Sequence, residues 1–336
     1  MELEELTERL EPFIQAKLDA PAARITNTWM MPGHAGFSYG FTVDVAGEET
    51  SYYMRLPPPN VKLEGTADVL RQVRILNALR DSKVPVAKVI WSGDDPQWFG
   101  RPFFVTEHIE GDTFKTTEGE WGATLSKETV ASMAEQAMRA LANIHLLEWE
   151  QSVPELGPPV PFDEDVTRWD RFYERAAEPQ LLSEVPKVRE LLLEKAPTDA
   201  RIGVFHGDYQ WSNLLYSYDG TLRAVIDWEL VNIGACLNDL GWITAFSTPD
   251  AWAHEGAGGG GKLPDPDQLI EWYVDEYGTD PGDINWFRAL ACYKFAIITG
   301  LNLSLHRRGK RPDPHWEDIK DSMPTLTAYA LKMLGA

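Results

Sequence analysis

The hydrophobic pattern of this chain changes period once, and that change limits the folds open to it. After an N-terminal helical stretch over 2–19, "RITNTWM", "FSYGFTVDVA" and "TSYYMRLP" are β-branched and aromatic runs separated by "PGHAG" and "GEE". Such runs read as a three-stranded antiparallel meander. "GTADVLRQVRILNALRDS" then places Val69, Leu70, Val73, Leu76, Ala78 and Leu79 at helical spacing, and "VPVAKVIWSG" and "RPFFVTEHIEGDTF" read as two more strands. Beyond residue 125 the period is helical. "SKETVASMAEQAMRALANIHLLEW" opens with Ser126 as an N-cap and Glu128 at a spacing like that of a capping box. Further helices are expected near 165–176, 181–195, 237–246, 266–278, 283–306 and 315–333. One hairpin, marked by Asp219-Gly220, interrupts them. The chain therefore divides into a small β-rich segment over 1–110 and a larger helical one over 111–336.

Charge and cysteine content exclude several roles. Lys and Arg total 31 against 52 Asp and Glu among 336 residues, a net charge of -21. That surface repels nucleic-acid phosphates and anionic membranes, so neither is an expected partner. The acidity serves solubility or lines a cleft for a cationic substrate. Cys236 and Cys292 cannot form a disulfide framework, and neither has a CxxC partner. "MELEELTERLEPF" is acidic and amphipathic, unlike a secretory leader. "LACYKFAIITGLNLSL" carries Lys294 and is too short for a bilayer. A cytoplasmic location is expected.

The run Gly256 to Lys262 spells G-x-x-x-x-G-K, the core of a phosphate-binding loop. That motif needs a preceding strand, a following helix and Ser or Thr after the lysine. Leu263 and Pro264 follow instead, so the segment reads as a loop.

Chemistry concentrates in "VFHGDYQWSNLLY" (204–216) and in Asp227 beyond the hairpin. No G-x-S-x-G supplies a nucleophile elbow, and no H-E-x-x-H or histidine cluster suits zinc. Asn213 and Asp227 offer hard oxygens of the kind Mg²⁺ takes, which leaves Asp208 to accept a proton from a hydroxyl. The bland reading makes all three turn and cap residues, since Asp and Asn favour such places. An Asp, an Asn five residues later and a second Asp after a hairpin form the set that protein kinases use.

At this point "HGDYQWSN" resembles the H-G-D-x-x-x-x-N motif of the aminoglycoside phosphotransferase and choline kinase-like family. "IDWE" (226–229) and "CLNDLGW" (236–242) resemble the segments that follow it there. "PGHAGFSYGF" is similar to the family's nucleotide loop, "YYMRLPPP" to its phosphate-binding strand and "IHLLEWE" to the end of its first large-lobe helix. The likeness runs over residues 25–330. It is nearest the branch found beside or fused to acyl-CoA dehydrogenases.

The resemblance implies an α+β, protein-kinase-like two-lobed fold, with a small antiparallel β-rich N-lobe and a larger helical C-lobe. It implies transfer of a phosphoryl group from ATP or GTP, with Mg²⁺, to a hydroxyl of a small molecule. Asp208 would be the catalytic base, and Asn213 and Asp227 the metal ligands. Gly33, Gly36, Arg55, Gln72, Glu107 and Ile109 would bind nucleotide, while His206 and Asp239 brace the loop. Arg55 stands where relatives carry lysine, and Gln72 where its glutamate partner is usual. Either another acid neutralises Arg55, with Glu64 nearest in sequence, or the pair is loose. A loose pair would suit the alternative role, a nucleotide-binding regulator without turnover. Aminoglycosides, amino alcohols, sugars and hydroxyacyl thioesters all remain open as acceptors. "HRRGKR" (306–311) either holds an anionic acceptor or caps a helix.

Overall fold

The computed structural model describes residues 2–31, 37–115, 119–254 and 262–336. Two compact units make up the chain: Met1–Glu110 with Arg223–Val231, and Gly111–Leu222 with Asn232–Ala336. The polypeptide thus leaves the second unit once, contributes a short piece to the first, and returns.

The first unit contains α1 (Leu3–Leu18), β1 (Arg24–Met30), β2 (Ser38–Val45), β3 (Glu48–Arg55), α2 (Val69–Leu79), β4 (Val89–Gly93), α3 (Pro96–Phe99) and β5 (Phe103–Glu107). The strands form one antiparallel sheet in the order β1-β2-β3-β5-β4. Leu6, Leu10, Phe13 and Ile14 recur at helical spacing along α1, and all four are fully buried with Tyr39, Phe41, Val43, Met54, Phe103 and Val105. Phe13 anchors this core, its ring meeting those of Trp98, Phe99 and Phe103 edge-on at 5.3, 5.2 and 5.2 Å. Helix α2 starts where the Asp68 carboxylate accepts the N–H groups of Leu70 and Arg71 (3.1 and 3.3 Å).

In the second unit come β6 (Asp112–Thr113), α4 (Lys127–His145), α5 (Trp149–Ser152), α6 (Phe162–Thr167), α7 (Asp170–Tyr173), α8 (Val185–Glu194), β7 (Ile202–Phe205) and β8 (Leu214–Tyr216). The connection through β9 (Leu222–Val225) is followed by β10 (Asn232–Ala235), α9 (Leu237–Phe246), α10 (Pro266–Tyr277), α11 (Asn285–Arg307), α12 (His315–Ile319) and α13 (Ser322–Met333). Ser126 caps α4 by accepting the N–H of Thr129 at 3.1 Å, so Thr129 rather than Glu128 occupies the third position of the turn. The stretch 315–333, expected as one helix, is two. Pro324 explains the break: inside a continuous helix its ring would strike the carbonyl of Lys320, but it fits the first turn of a new one.

Helices α9 and α11 pack closely because Gly241 has no side chain. A Cβ built there would lie 2.5 Å from both the carbonyl carbon and the oxygen of Phe287, atoms of a backbone that cannot swing aside. In an open helix, Gly→Ala stabilises by roughly 0.5–1 kcal/mol. Here Gly241→Ala should instead cost about 1–3 kcal/mol, the usual scale of overpacking. Urea denaturation checks the sign, and an equal or higher midpoint would contradict this account of the α9–α11 contact.

Candidate active site

In the second unit, β7 pairs antiparallel with β10, from Ile202↔Ala235 to Phe205↔Asn232. The pairing delivers the chain to His206, fully buried, and to Gly207, whose φ of +87° is a conformation that a side chain would strain. Helix α9 begins directly after β10 and carries Asp239 in its first turn. There the free amides and the helix dipole favour a carboxylate. One Asp239 oxygen accepts the His206 N–H at 2.6 Å, and the other the Gly207 N–H at 2.8 Å. His145 Nε2 lies 3.4 Å from Asp239, while its Nδ1 meets the Tyr273 hydroxyl at 2.8 Å. The loop is tied to α4 as well, since the Tyr209 hydroxyl donates to the Ala137 carbonyl at 2.7 Å.

Asp208 follows, half-buried, with both carboxylate oxygens occupied. Gln210 Nε2 reaches each at 2.9 Å, Trp242 Nε1 donates to Oδ1 at 3.0 Å, and Asn213 Nδ2 to Oδ2 at 3.0 Å. Burial holds the Asp208 pKa above the ordinary carboxylate value, and the electrostatic influence of His206 and these donated hydrogen bonds only partly oppose it. Asn213 Nδ2 also donates to the Asp208 carbonyl at 2.8 Å. With acceptors on both sides of the NH₂ group, the amide orientation is settled, and Oδ1 faces away. Among the described residues, nothing donates to that oxygen.

In the first unit, Arg55 ends β3 with 8 % exposure. Its Nη1 donates to Ser38 Oγ at 2.9 Å and its Nη2 pairs with Glu229. Burial alone would lower its pKa, but Tyr53, Asp227 and Glu229 outweigh burial and hold it above the ordinary value. The cation is therefore permanent. The acid for Arg55 is Glu229 and not Glu64, the nearest in sequence, which pairs with Lys62 near the surface; no hydrogen bond joins Gln72 to Arg55. Gln72 is buried at 4 %, and its Nε2 has no partner among the described residues. Asp227 is exposed with a left-handed φ of +61°, and no described group donates to its carboxylate.

Of the other expected site residues, Gly33 and Gly36 lie outside the described residues. Glu107 ends β5, where its carbonyl accepts the Thr106 hydroxyl (3.0 Å) and its carboxylate the Lys88 N–H (3.0 Å). Half-buried Ile109 follows two residues on, and its N–H meets no described acceptor. Of the 255–262 run, residues 255–261 are also outside the description, but Lys262 donates to the carbonyls of Ala123 and Leu125, the latter at 3.0 Å. The "HRRGKR" run ends α11: Arg307 is bound to Glu178 and Glu317, and Arg308 donates to the Ser304 carbonyl. A cavity of about 580 Å³ lined by Glu164, Thr167, Arg168, Asp170, Arg171 and Glu174 contains none of the expected site residues.

Three residues at these centres had no functional part in the reading of the sequence: Gln210, Trp242 and Glu229. Trp242 was legible in principle. It lies three residues after Asp239 on one helix, so both face the same loop.

The phosphotransferase enzyme family model matches residues 36–272. Acyl-CoA dehydrogenase family member 11 is 28% identical over 263 residues in Pongo abelii and 28% over 258 in Homo sapiens, each match covering 74% of this chain and 33% of the relative. Probable acyl-CoA dehydrogenase IBR3 of Arabidopsis thaliana is 25% identical over 223 residues, 62% of this chain and 27% of that one. The chain thus spans about a third of the length of the curated relatives it matches. A candidate aminoglycoside phosphotransferase of Ralstonia eutropha superposes with TM-score 0.78 at 21% identity, covering 97% of this chain and 98% of that one. An ethanolamine kinase of Plasmodium vivax superposes with TM-score 0.59 at 14% identity, covering 95% and 85%. These likenesses establish a kinase-like fold, and with the family match over more than half its length the chain belongs to the phosphotransferase enzyme family.

Proposed function

We propose that this protein transfers the γ-phosphoryl group of ATP, with Mg²⁺, to a hydroxyl of a small molecule, with Asp208 as the catalytic base. The observation that carries this reading is how Asp208 is held. Three side chains fix its carboxylate by hydrogen bonds while burial raises its pKa toward that of a usable base. Asp208 orients the acceptor hydroxyl and takes its proton as the oxygen attacks phosphorus. Asn213 keeps the base in position through Nδ2 and turns Oδ1 outward. Arg55, permanently charged and anchored by Glu229, steadies the phosphates from the end of β3. The backbone at Glu107 and Ile109 receives the base of the nucleotide.

The oxygen-only donors Asn213 and Asp227 fit Mg²⁺, which keeps water and phosphate oxygens as its remaining ligands. When bound, the ion neutralises phosphate charge. No covalent intermediate is required, because positioning and charge neutralisation suffice for phosphoryl transfer. The reading as a regulator without turnover rested on a missing acid beside Arg55. Glu229 is such an acid.

ADP release with a panel of hydroxyl compounds tests the proposal, and substitutions separate the roles. Asp208→Asn should bind Mg-ATP nearly as the parent does and lose about 10²–10⁴ in transfer, the scale of general acid–base catalysis. Asp227→Asn should instead lower the apparent Mg²⁺ affinity and recover in part at raised Mg²⁺. If both variants turned over at parental rates, the base and metal assignments would be wrong.

The phosphate role of Arg55 predicts that Arg55→Ala loses roughly 1.5–3 kcal/mol of ATP affinity, measured by calorimetry. Unchanged affinity would move that role to another residue.

The pH profile provides a further check. A base is active when deprotonated, so activity falls as pH drops through the raised pKa of Asp208, earlier than an ordinary carboxylate would dictate. Trp242→Phe removes a donor that favours the charged form, so it should move the acid limb of kcat/KM to higher pH. An unmoved limb would mean that the Trp242 hydrogen bond does not tune the base.

A further inference from the structure

In the exposed basic run at the end of α11, Arg307 is occupied with ion pairs and Arg308 with helix capping. A different cation is not. Lys294 lies in the middle of α11 at 7 % exposure, and no described carboxylate lies within ion-pair distance of its Nζ. Its ammonium rests on two indoles, 5.6 Å from the centre of Trp169 and 5.1 Å from that of Trp242. Three acids lie within electrostatic range, namely Asp165, Asp239 and Asp208, and each is committed elsewhere. Asp165 pairs with Arg168 at 3.1 Å and accepts from Asn238 at 2.8 Å. Asp239 holds the His206 and Gly207 amides, and Asp208 its three side-chain donors. Two further donors beside Lys294, Trp169 Nε1 and Arg168 Nε, are buried with no hydrogen-bond partner among the described residues.

A buried ammonium usually sits against a carboxylate, because its desolvation must be offset. Cation–π contact offsets part of it. Two buried acceptors of the same cluster, Asp165 Oδ1 and Asn238 Oδ1, also have no hydrogen bond among the described residues, so the lack at Lys294 is of a carboxylate in contact. The ammonium adjoins the base, since the indole that faces Lys294 is the one that donates to Asp208.

Resting on the phosphotransfer reading above, we propose that Lys294 is the specificity determinant of the acceptor site, and that the acceptor is a hydroxyl compound carrying an anionic group, carboxylate or phosphate, which Lys294 binds. The anion completes the half-satisfied ammonium, Trp169 and Trp242 flank it, and the hydroxyl is presented to Asp208. Burial draws the Lys294 pKa down to about 8, so the amine is still largely protonated at neutral pH. The acidity of the chain as a whole disfavours such a ligand at long range. Lys294 acts at contact distance, where screening is weakest. The plain alternative is a core lysine that merely packs its stem between two rings.

The two readings separate in one experiment on the full chain loaded with Mg²⁺ and AMP-PNP. Four matched three-carbon probes are titrated by calorimetry: glycerate, glycerol 3-phosphate, glycerol and 3-aminopropane-1,2-diol. The parent should bind one or both anionic probes at least about tenfold (1.4 kcal/mol) more tightly than the neutral and cationic ones. Whichever anion binds more tightly distinguishes carboxylate from phosphate. Lys294→Met should abolish that preference and leave AMP-PNP affinity unchanged. Replacing a buried charge by an apolar isostere is often neutral or stabilising, so the variant is expected to fold, and Lys294→Gln serves as a second variant. No preference for anions in the parent, or a preference that survives both substitutions, overturns the proposal while leaving phosphotransfer standing. Failure of the parent to bind Mg²⁺ and AMP-PNP overturns the phosphotransfer reading itself, and this inference with it.

Discussion

The loop that carries Asp208 depends on one buried carboxylate. Asp239 is 1 % exposed and takes the N–H groups of two successive residues, His206 and Gly207, each on its own oxygen. Those amides leave the end of β7 with no strand partner and would otherwise be buried unsatisfied, at about 1–3 kcal/mol each. Asp239 is itself held by the start of α9 and by His145. The position of Asp208 therefore follows from a helix start, a β-bridge and a histidine that all converge on one side chain.

The charged groups are handled differently in the two units. Around Asp208, burial outweighs the opposing influence of His206 and of the donated hydrogen bonds, so its proton affinity rises. Around Arg55, Tyr53 and the carboxylates of Asp227 and Glu229 outweigh burial, so the charge is fixed. The base proposed at Asp208 has to exchange a proton during turnover, whereas the phosphate anchor proposed at Arg55 has to remain a cation. Each environment suits the task proposed for it.

Local spacing made much of this legible. Leu6, Leu10, Phe13 and Ile14 could be read as the buried face of α1, because one helix carries all four. Asp208 and Asn213 could be paired, because one short loop holds both. The acid for Arg55 could not be read, since Glu229 is separated from it by 174 residues and no periodicity links them. Gln72 looked like the partner because it sits at the familiar place on α2, yet it is turned into the core without bonding Arg55. The split of the last helical stretch was readable from Pro324, had the clash with Lys320 been weighed above the continuous apolar stripe.

The piece Arg223–Val231 that the first unit takes from late in the chain has a consequence for synthesis. When residue 110 leaves the ribosome, the sheet and α1 are present, but their closing contacts are not. The Pro85 carbonyl waits for the N–H of Val225, Arg71 Nε for the carbonyl of Val231, and Arg55 for Glu229. A nascent chain normally completes its domains from the N-terminus onward. Here the first unit holds Arg55 without its Glu229 partner until residue 229 has been translated. It is completed only by sequence that arrives through the other unit.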